Sequence, residues 1–193
     1  MNLTTAIQLR QANREFKATP VTPDQLAALS EAASYAPVAR GRYNEYLLTV
    51  VTDRQVIDEL EAADTGHPFY GAPVVMVLST TLTNQAGYLS AGMIAQNIEL
   101  KASELGLASC TILGALKGGI ESSVAARTAL GLPTDYVPVV AIAIGHPAHE
   151  LKPRHFVTDR LRTITLTPDK PKKREDQSPL VKLGPVIGSL FLI

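Results

Sequence analysis

The sequence predicts a single domain of mixed helix and strand, and three observations carry that expectation. Helix-like and strand-like segments alternate from Thr4 to Ile144. Short apolar runs, Pro73 to Leu78 and Val137 to Ile144, are bounded by turn residues as buried strands are. A chain of 193 residues that is 46% hydrophobic and 19% charged has the length and balance to bury one sizeable core.

Taken in order, Thr4 or Thr5 is placed to cap a short first helix carrying Ala6, Ile7 and Arg10. Thr22-Pro23-Asp24-Gln25 is a stronger helix start. It sets a capping threonine, proline at the first helical position and glutamine where a capping box needs it. Leu26, Leu29 and Ala33 follow at helical spacing, and Pro37 is the predicted stop. Tyr46 to Thr52 reads as a strand. Asp53 caps a third helix through Ala63, and Gly66-His67-Pro68 is a loop. The longest helix is predicted from Asn84 to Leu105, closed by Gly106. Its residues are small or apolar on most faces, which suits the centre of a fold or a subunit interface. Ala108 to Leu113 is a strand, Glu121 to Leu130 a helix ended by Gly131, and Val137 to Ile144 the last strong strand. No internal repeat is visible.

Beyond Pro168 the composition changes. A charged, proline-bearing stretch leads to the apolar Leu180 to Ile193 tail, so the expected division is a domain over 1–167 and a linker with tail over 168–193. Such a tail is either foreign to the natural reading frame or hides its surface against a partner subunit.

Composition also narrows the function. The 18 basic and 18 acidic side chains cancel, which weakens a nucleic-acid reading. The start shows no apolar stretch behind a basic segment, and no run approaches the roughly 20 residues of a bilayer span. The expectation is therefore a cytoplasmic chain without membrane or nucleic-acid partners. Cys110 cannot form an internal disulfide and reads as a small buried hydrophobe. His67, His146, His149 and His155 fall in loops, so no metal site is expected. No G-x-S-x-G, H-E-x-x-H, C-x-x-C, P-loop or G-x-G-x-x-G motif occurs. Alternating elements by themselves suggest a doubly wound parallel sheet, but the first strand ends on Thr52-Asp53-Arg54-Gln55 rather than a glycine-rich turn. What remains is Arg10-Gln11-Ala12-Asn13-Arg14. Two guanidinium groups at helical spacing either converge on a phosphate or form a solvated helix face.

The order of landmarks along the chain resembles the FMN-dependent nitroreductase family. Arg10-x-x-x-Arg14-x-Phe16 with Pro20-Val21 is similar to that family's R-R-S-x-R-x-F and P-V opening. Ala32 to Pro37 resembles its A-x-x-A-P-S segment, and Gly71-Ala72-Pro73 its strand entry. Ala95-Gln96-Asn97-Ile98 and Glu104 to Cys110 resemble its long helix and E-L-G-L-G-S-C exit. Leu130-Gly131-Leu132-Pro133 and Gly145-His146-Pro147 complete the series, which spans residues 5 to about 155.

The resemblance implies an α+β three-layer sandwich around a mixed, mostly antiparallel sheet, built as an intertwined homodimer with FMN at its interface. The implied cofactor-binding residues are Arg10, Gln11, Ala12 and Arg14, with Lys152 or Arg154 as a further basic contact to the phosphate. Pro37, Val38, Ala39 and Arg40, with the backbone of Ile112, Leu113 and Gly114, would approach the ring system. The implied activity is an oxidoreductase using NAD(P)H to reduce a small acceptor, such as a nitroaromatic or quinone, by a ping-pong mechanism.

Two departures stand out. Ala12 replaces the family's serine, and Val38 to Glu45 replaces a polar S-x-x-N-x-Q-P-W loop. A lost hydrogen bond to a charged or buried group costs about 1.5–3 kcal/mol. The alternative implied by those departures is a flavin- or ligand-binding protein of the same fold with little turnover. Arg40 and Arg42 would either compensate electrostatically or select an anionic substrate.

Overall fold

Capping decides where the helices begin. In the computed structural model, which describes residues 1–64 and 66–155, α1 (Leu3–Leu9) starts from Asn2, whose side-chain oxygen accepts the Thr5 N–H at 2.9 Å. The cap is thus Asn2 rather than Thr4 or Thr5. The Thr5 hydroxyl donates to the same oxygen, and asparagine caps more strongly than threonine. For α2 (Pro23–Ser34) the capping box forms in full: Gln25 N–H donates to Thr22 Oγ1, and the Thr22 N–H to Gln25 Oε1. This helix stops at Ser34, ahead of Pro37, because the residue before a proline is disfavoured in helical conformation. Asp53 caps α3 (Arg54–Ala62), and Asn84 caps α4 (Gln85–Glu104). At the far end of α4, Gly106 adopts φ +73°, and the Leu107 N–H donates to the Ala102 carbonyl at 2.8 Å, closing the last turn. The predicted helix from Glu121 starts later, as α5 (Val124–Ala129). The hydroxyl of Ser123 accepts the Ala126 N–H there, after a wide turn over Leu116–Ile120.

Four strands, β1 (Tyr46–Val51), β2 (Val74–Thr80), β3 (Ala108–Ile112) and β4 (Val137–Gly145), form a sheet in the order β1-β2-β4-β3. Every adjacent pair is antiparallel. The doubly wound parallel sheet suggested by alternation does not form, and chain direction explains why. Val51 pairs with Val75, so the nine-residue α3 and its following loop return the chain to the end of the sheet where β1 finished. The 20-residue α4, about 30 Å long, instead carries the chain back along the sheet. Accordingly β2 and β3 both run opposite to β4 and parallel to each other, separated by it.

The sheet is buried on both faces, so its strands read as nearly continuous apolar runs. Met76, Leu78, Ile142 and Ile144 pack against Leu29 and Ala33 of α2 and Ile94, Ile98 and Ala102 of α4. Val75, Val77, Ala141 and Ala143 pack against Ile57 and Leu60 of α3, Ala126 of α5 and Ile120. The result is the expected α+β three-layer sandwich. The 168–193 linker and tail, and the boundary at 167, lie outside the described residues.

Candidate functional site

The site is built where the chain leaves α1. The helix ends at Leu9, and Arg10 is already extended, with φ −63° and ψ 113°. Arg10 and Arg14 therefore do not share a helix face. They lie on an arm that crosses the edge of β3 and the end of β4. Ala12 bridges Ser109 in parallel, the Asn13 N–H donates to the Ser109 carbonyl at 2.9 Å, and Phe16 bridges Pro147. The Lys17 N–H donates to the His146 carbonyl at 2.8 Å, and the Ala148 N–H to the Glu15 carbonyl at 3.1 Å. Gly145 makes room for this crossing: a Cβ there would sit 2.7 Å from Pro73 Cδ and 3.1 Å from Phe16 Cδ1.

The segment after β4 returns beside the arm. The Gln11 side-chain amide donates to the Lys152 carbonyl at 3.1 Å, and the Arg154 N–H to the Gln8 carbonyl at 3.0 Å. Between arm and segment lies an open cavity of about 260 Å³ bordered by Gln11, Ala12, Arg14 and Lys152, with Glu15 and His149 on its rim. Those rim groups pair with each other at 2.9 Å. Arg14 sets its guanidinium 5.7 Å from the centre of the Tyr70 ring, and Tyr70 holds a left-handed backbone, φ +56°. Stacking of this kind contributes about 0.5–1 kcal/mol and restricts where the guanidinium can point. Cys110 lies buried nearby. Desolvation pushes its thiol pKa up, and the charge of Arg14 pulls partly against that.

Arg10 takes a separate partner. Its Nη1 reaches Oε2 of Glu99 on α4 at 3.4 Å, and the Ser109 hydroxyl donates to the other carboxylate oxygen, also at 3.4 Å. The Glu99 side chain is only 6% exposed and that of Arg10 21%. Glu99, with Ala91, Gly92, Ala95, Thr111 and Leu113, also lines a second cavity of about 390 Å³ along the seam between α4 and the end of β3. A Cβ on Gly92 would meet nothing within 4 Å, so the helix leaves a shallow, small-residue floor there.

The sequence-predicted residues thus fall into two groups. Arg10, Gln11, Ala12, Arg14, Lys152 and Arg154 come together around the arm, and Leu113 lies along the neighbouring seam, following Ile112 and preceding Gly114. The residues after Pro37 do not join them within one chain. The Ala39 N–H donates to Ser90 Oγ at 3.0 Å, nine residues before Glu99 on α4 and so about 13 Å along its axis. Arg40 holds φ +57° in a tight turn, and Val38 borders a separate pocket with Tyr43, Tyr46 and Ile94. Glu99 and Ser109 were not singled out from the sequence. The readable signal for Glu99 was a carboxylate within the buried run Ala91, Ala95, Ile98, Ala102 at helical spacing.

The family model described as Nitroreductase family matches residues 7–69 and 65–146. The chain belongs to the nitroreductase family. Solved nitroreductase structures share its fold. A nitroreductase with bound FMN from Bacteroides fragilis is 21% identical, with a TM-score of 0.77 over 86% of this chain and 100% of that one. One with bound FMN from Desulfitobacterium hafniense is 25% identical, with a TM-score of 0.73 over 86% and 100%. An FMN-dependent nitroreductase from Clostridium difficile is 24% identical, at 0.71 over 84% and 99%. No curated protein sequence matches the chain. No described helix is long and apolar enough to cross a membrane.

Proposed function

We propose that this nitroreductase-family chain is an FMN-dependent oxidoreductase that uses NAD(P)H to reduce a small acceptor, working as a homodimer. The observation that carries the reading is the convergence of Arg14 and Lys152 on one cavity, with Arg10 on the same arm and the α4–β3 seam beside it. Cationic side chains and backbone at an extended arm suit a phosphate, and guanidinium groups can bind it through paired donors. The small-residue floor of the seam, next to Ile112, Leu113 and Gly114, suits a flat ring. Solved relatives with bound FMN support the same assignment.

In this reading Arg10, Gln11, Ala12, Arg14, Lys152 and Arg154 hold the phosphate end. Ala12 offers backbone only, so one donor is forgone. FMN, when bound, would supply the redox chemistry of a ping-pong transfer between NAD(P)H and the acceptor. The chain's part is to orient, neutralise charge and exclude water. Pro37, Val38, Ala39 and Arg40 belong to the site only if a second copy brings them there. The exposed apolar side chains of α4, Tyr88 and Leu89, together with Leu113, suit that pairing. A nitroaromatic or quinone acceptor and a cytoplasmic location belong to the same proposal.

An absorbance spectrum of the purified protein tests the cofactor: a band near 450 nm that bleaches with NAD(P)H and returns with a quinone is expected. A protein that cannot take up FMN would sink the proposal. A flavin band that NAD(P)H leaves untouched would favour the binding protein with little turnover. Arg10→Ala should weaken FMN by about ten- to hundredfold, the cost of a charged hydrogen bond, measured by flavin fluorescence titration. Light scattering at micromolar concentration should give a dimer.

A further inference from the structure

We propose that Glu99 is a positioning residue for phosphate recognition, acting through Arg10; this rests on the FMN reading above. Glu99 is 4% exposed in a helix that otherwise buries small and apolar side chains, so its ionised form requires partners. It has two, from the two segments that frame the site. Arg10 Nη1 meets one oxygen at 3.4 Å, and the Ser109 hydroxyl meets the other at 3.4 Å. Ser109 is also the residue whose carbonyl takes the Asn13 N–H and whose backbone bridges Ala12. One carboxylate therefore ties the Arg10 guanidinium to the point where the arm is fastened to β3.

The arrangement decides between two roles for Arg10. If its guanidinium swung away to meet a phosphate, it would leave a buried carboxylate with a single hydroxyl partner, which is strongly unfavourable. Arg10 instead stays on Glu99 and offers its remaining N–H groups, since a guanidinium carries five donors in a fixed fork and this contact uses one. Glu99 thereby selects one rotamer of a long side chain before the ligand arrives, and the ordering cost of Arg10 is not charged against binding. Simple repulsion between Glu99 and a phosphate predicts the opposite sign, so the two accounts separate cleanly.

The test is a double-mutant cycle on FMN affinity, with wild type, E99Q, R10A and R10A/E99Q titrated by flavin fluorescence and their folding checked by thermal melts. Glu99→Gln is expected to weaken FMN on the order of three- to tenfold in the wild-type background, the range of one hydrogen bond. In the R10A background it should change little, because the residue through which Glu99 acts is gone. An equal loss in both backgrounds would mark a structural role and overturn the proposal. Tighter or unchanged binding in E99Q alone would overturn it as well. Should R10A or E99Q fail to fold, R10M and S109A replace them. S109A loosens the carboxylate without removing it and should weaken FMN about twofold; an unchanged affinity counts against the proposal. Wild-type protein that binds no FMN would remove the functional reading and this inference with it. Flavin-binding wild type with an unresponsive Glu99 would remove the inference alone.

Discussion

The N-terminal arm and the loop after Pro37 lie against the same helix, α4, yet they are held in different ways. The arm is fastened by backbone: a parallel bridge to Ser109, an antiparallel bridge to Pro147, and three further N–H to carbonyl bonds between 2.8 and 3.1 Å. The loop is held largely through side chains. Ser90 Oγ receives the Ala39 N–H, Tyr136 donates to the Asn44 carbonyl at 2.8 Å, and Arg42 pairs with Glu45 at 2.6 Å. Backbone pairing fixes a segment whatever its side chains, so the arm can lose a serine at position 12 and keep its path. A loop held by side chains changes with its residues, and the 38–45 segment is where the family pattern is lost.

That contrast can be attacked from the arm first. Gly145→Ala pushes a Cβ into Pro73 and Phe16, and overpacking of this kind costs about 1–3 kcal/mol. Chemical denaturation should register that loss together with weaker FMN retention. An unchanged midpoint would show that the arm does not depend on this close approach. On the loop side, Ser90→Ala leaves the half-buried Ala39 N–H without its acceptor and should cost about 1 kcal/mol. If urea unfolding shows no change, the loop is not pinned there.

A smaller effect of opposite sign is expected at Arg40. Its left-handed backbone favours glycine, so Arg40→Gly should raise stability by about 0.5 kcal/mol after the entropy of the unfolded chain is counted. A loss of stability would mean that the arginine side chain anchors the turn. The smallest effect concerns Cys110, beneath the arm. Burial raises its folded pKa above the ordinary thiol value of about 8.5, so the neutral thiol is the form the fold prefers. Its contribution is complete below that value and is lost as pH climbs from it through the folded pKa. Between pH 8 and 10 wild type should therefore lose stability faster than Cys110→Ala. Parallel curves would show that burial leaves the thiol pKa where it stands in the unfolded chain.

Much of the architecture was legible because local chemistry dictates it. Thr22 and Gln25 made their capping box, Asp53 and Asn84 began their helices, and Gly106 closed α4. The apolar runs 74–80 and 137–145 became strands buried on both faces. Helix ends proved less legible where competing signals were adjacent, as with Asn2 beside Thr4 and Thr5, or Ser123 within the segment expected to start at Glu121. Helical spacing predicts that Arg10 and Arg14 share a face, whereas both lie on an extended arm and meet different partners, Glu99 and Tyr70. Glu99 went unnoticed because a lone glutamate on a helix is ordinarily solvated.

By itself the sequence determined which segments are helix or strand, where most of them start, and which family's landmarks they carry. Those properties depend on neighbours within a few residues, through caps, periodicity and backbone preference. Strand direction, the sheet order β1-β2-β4-β3, the passage of the arm over Ser109 and the pairing of Arg10 with Glu99 were decided by tertiary structure. Each joins residues far apart in the chain, up to 97 positions between Ala12 and Ser109, and no local preference encodes them. Arg10 and Arg14 were visible from the first line; only the fold determined what they face.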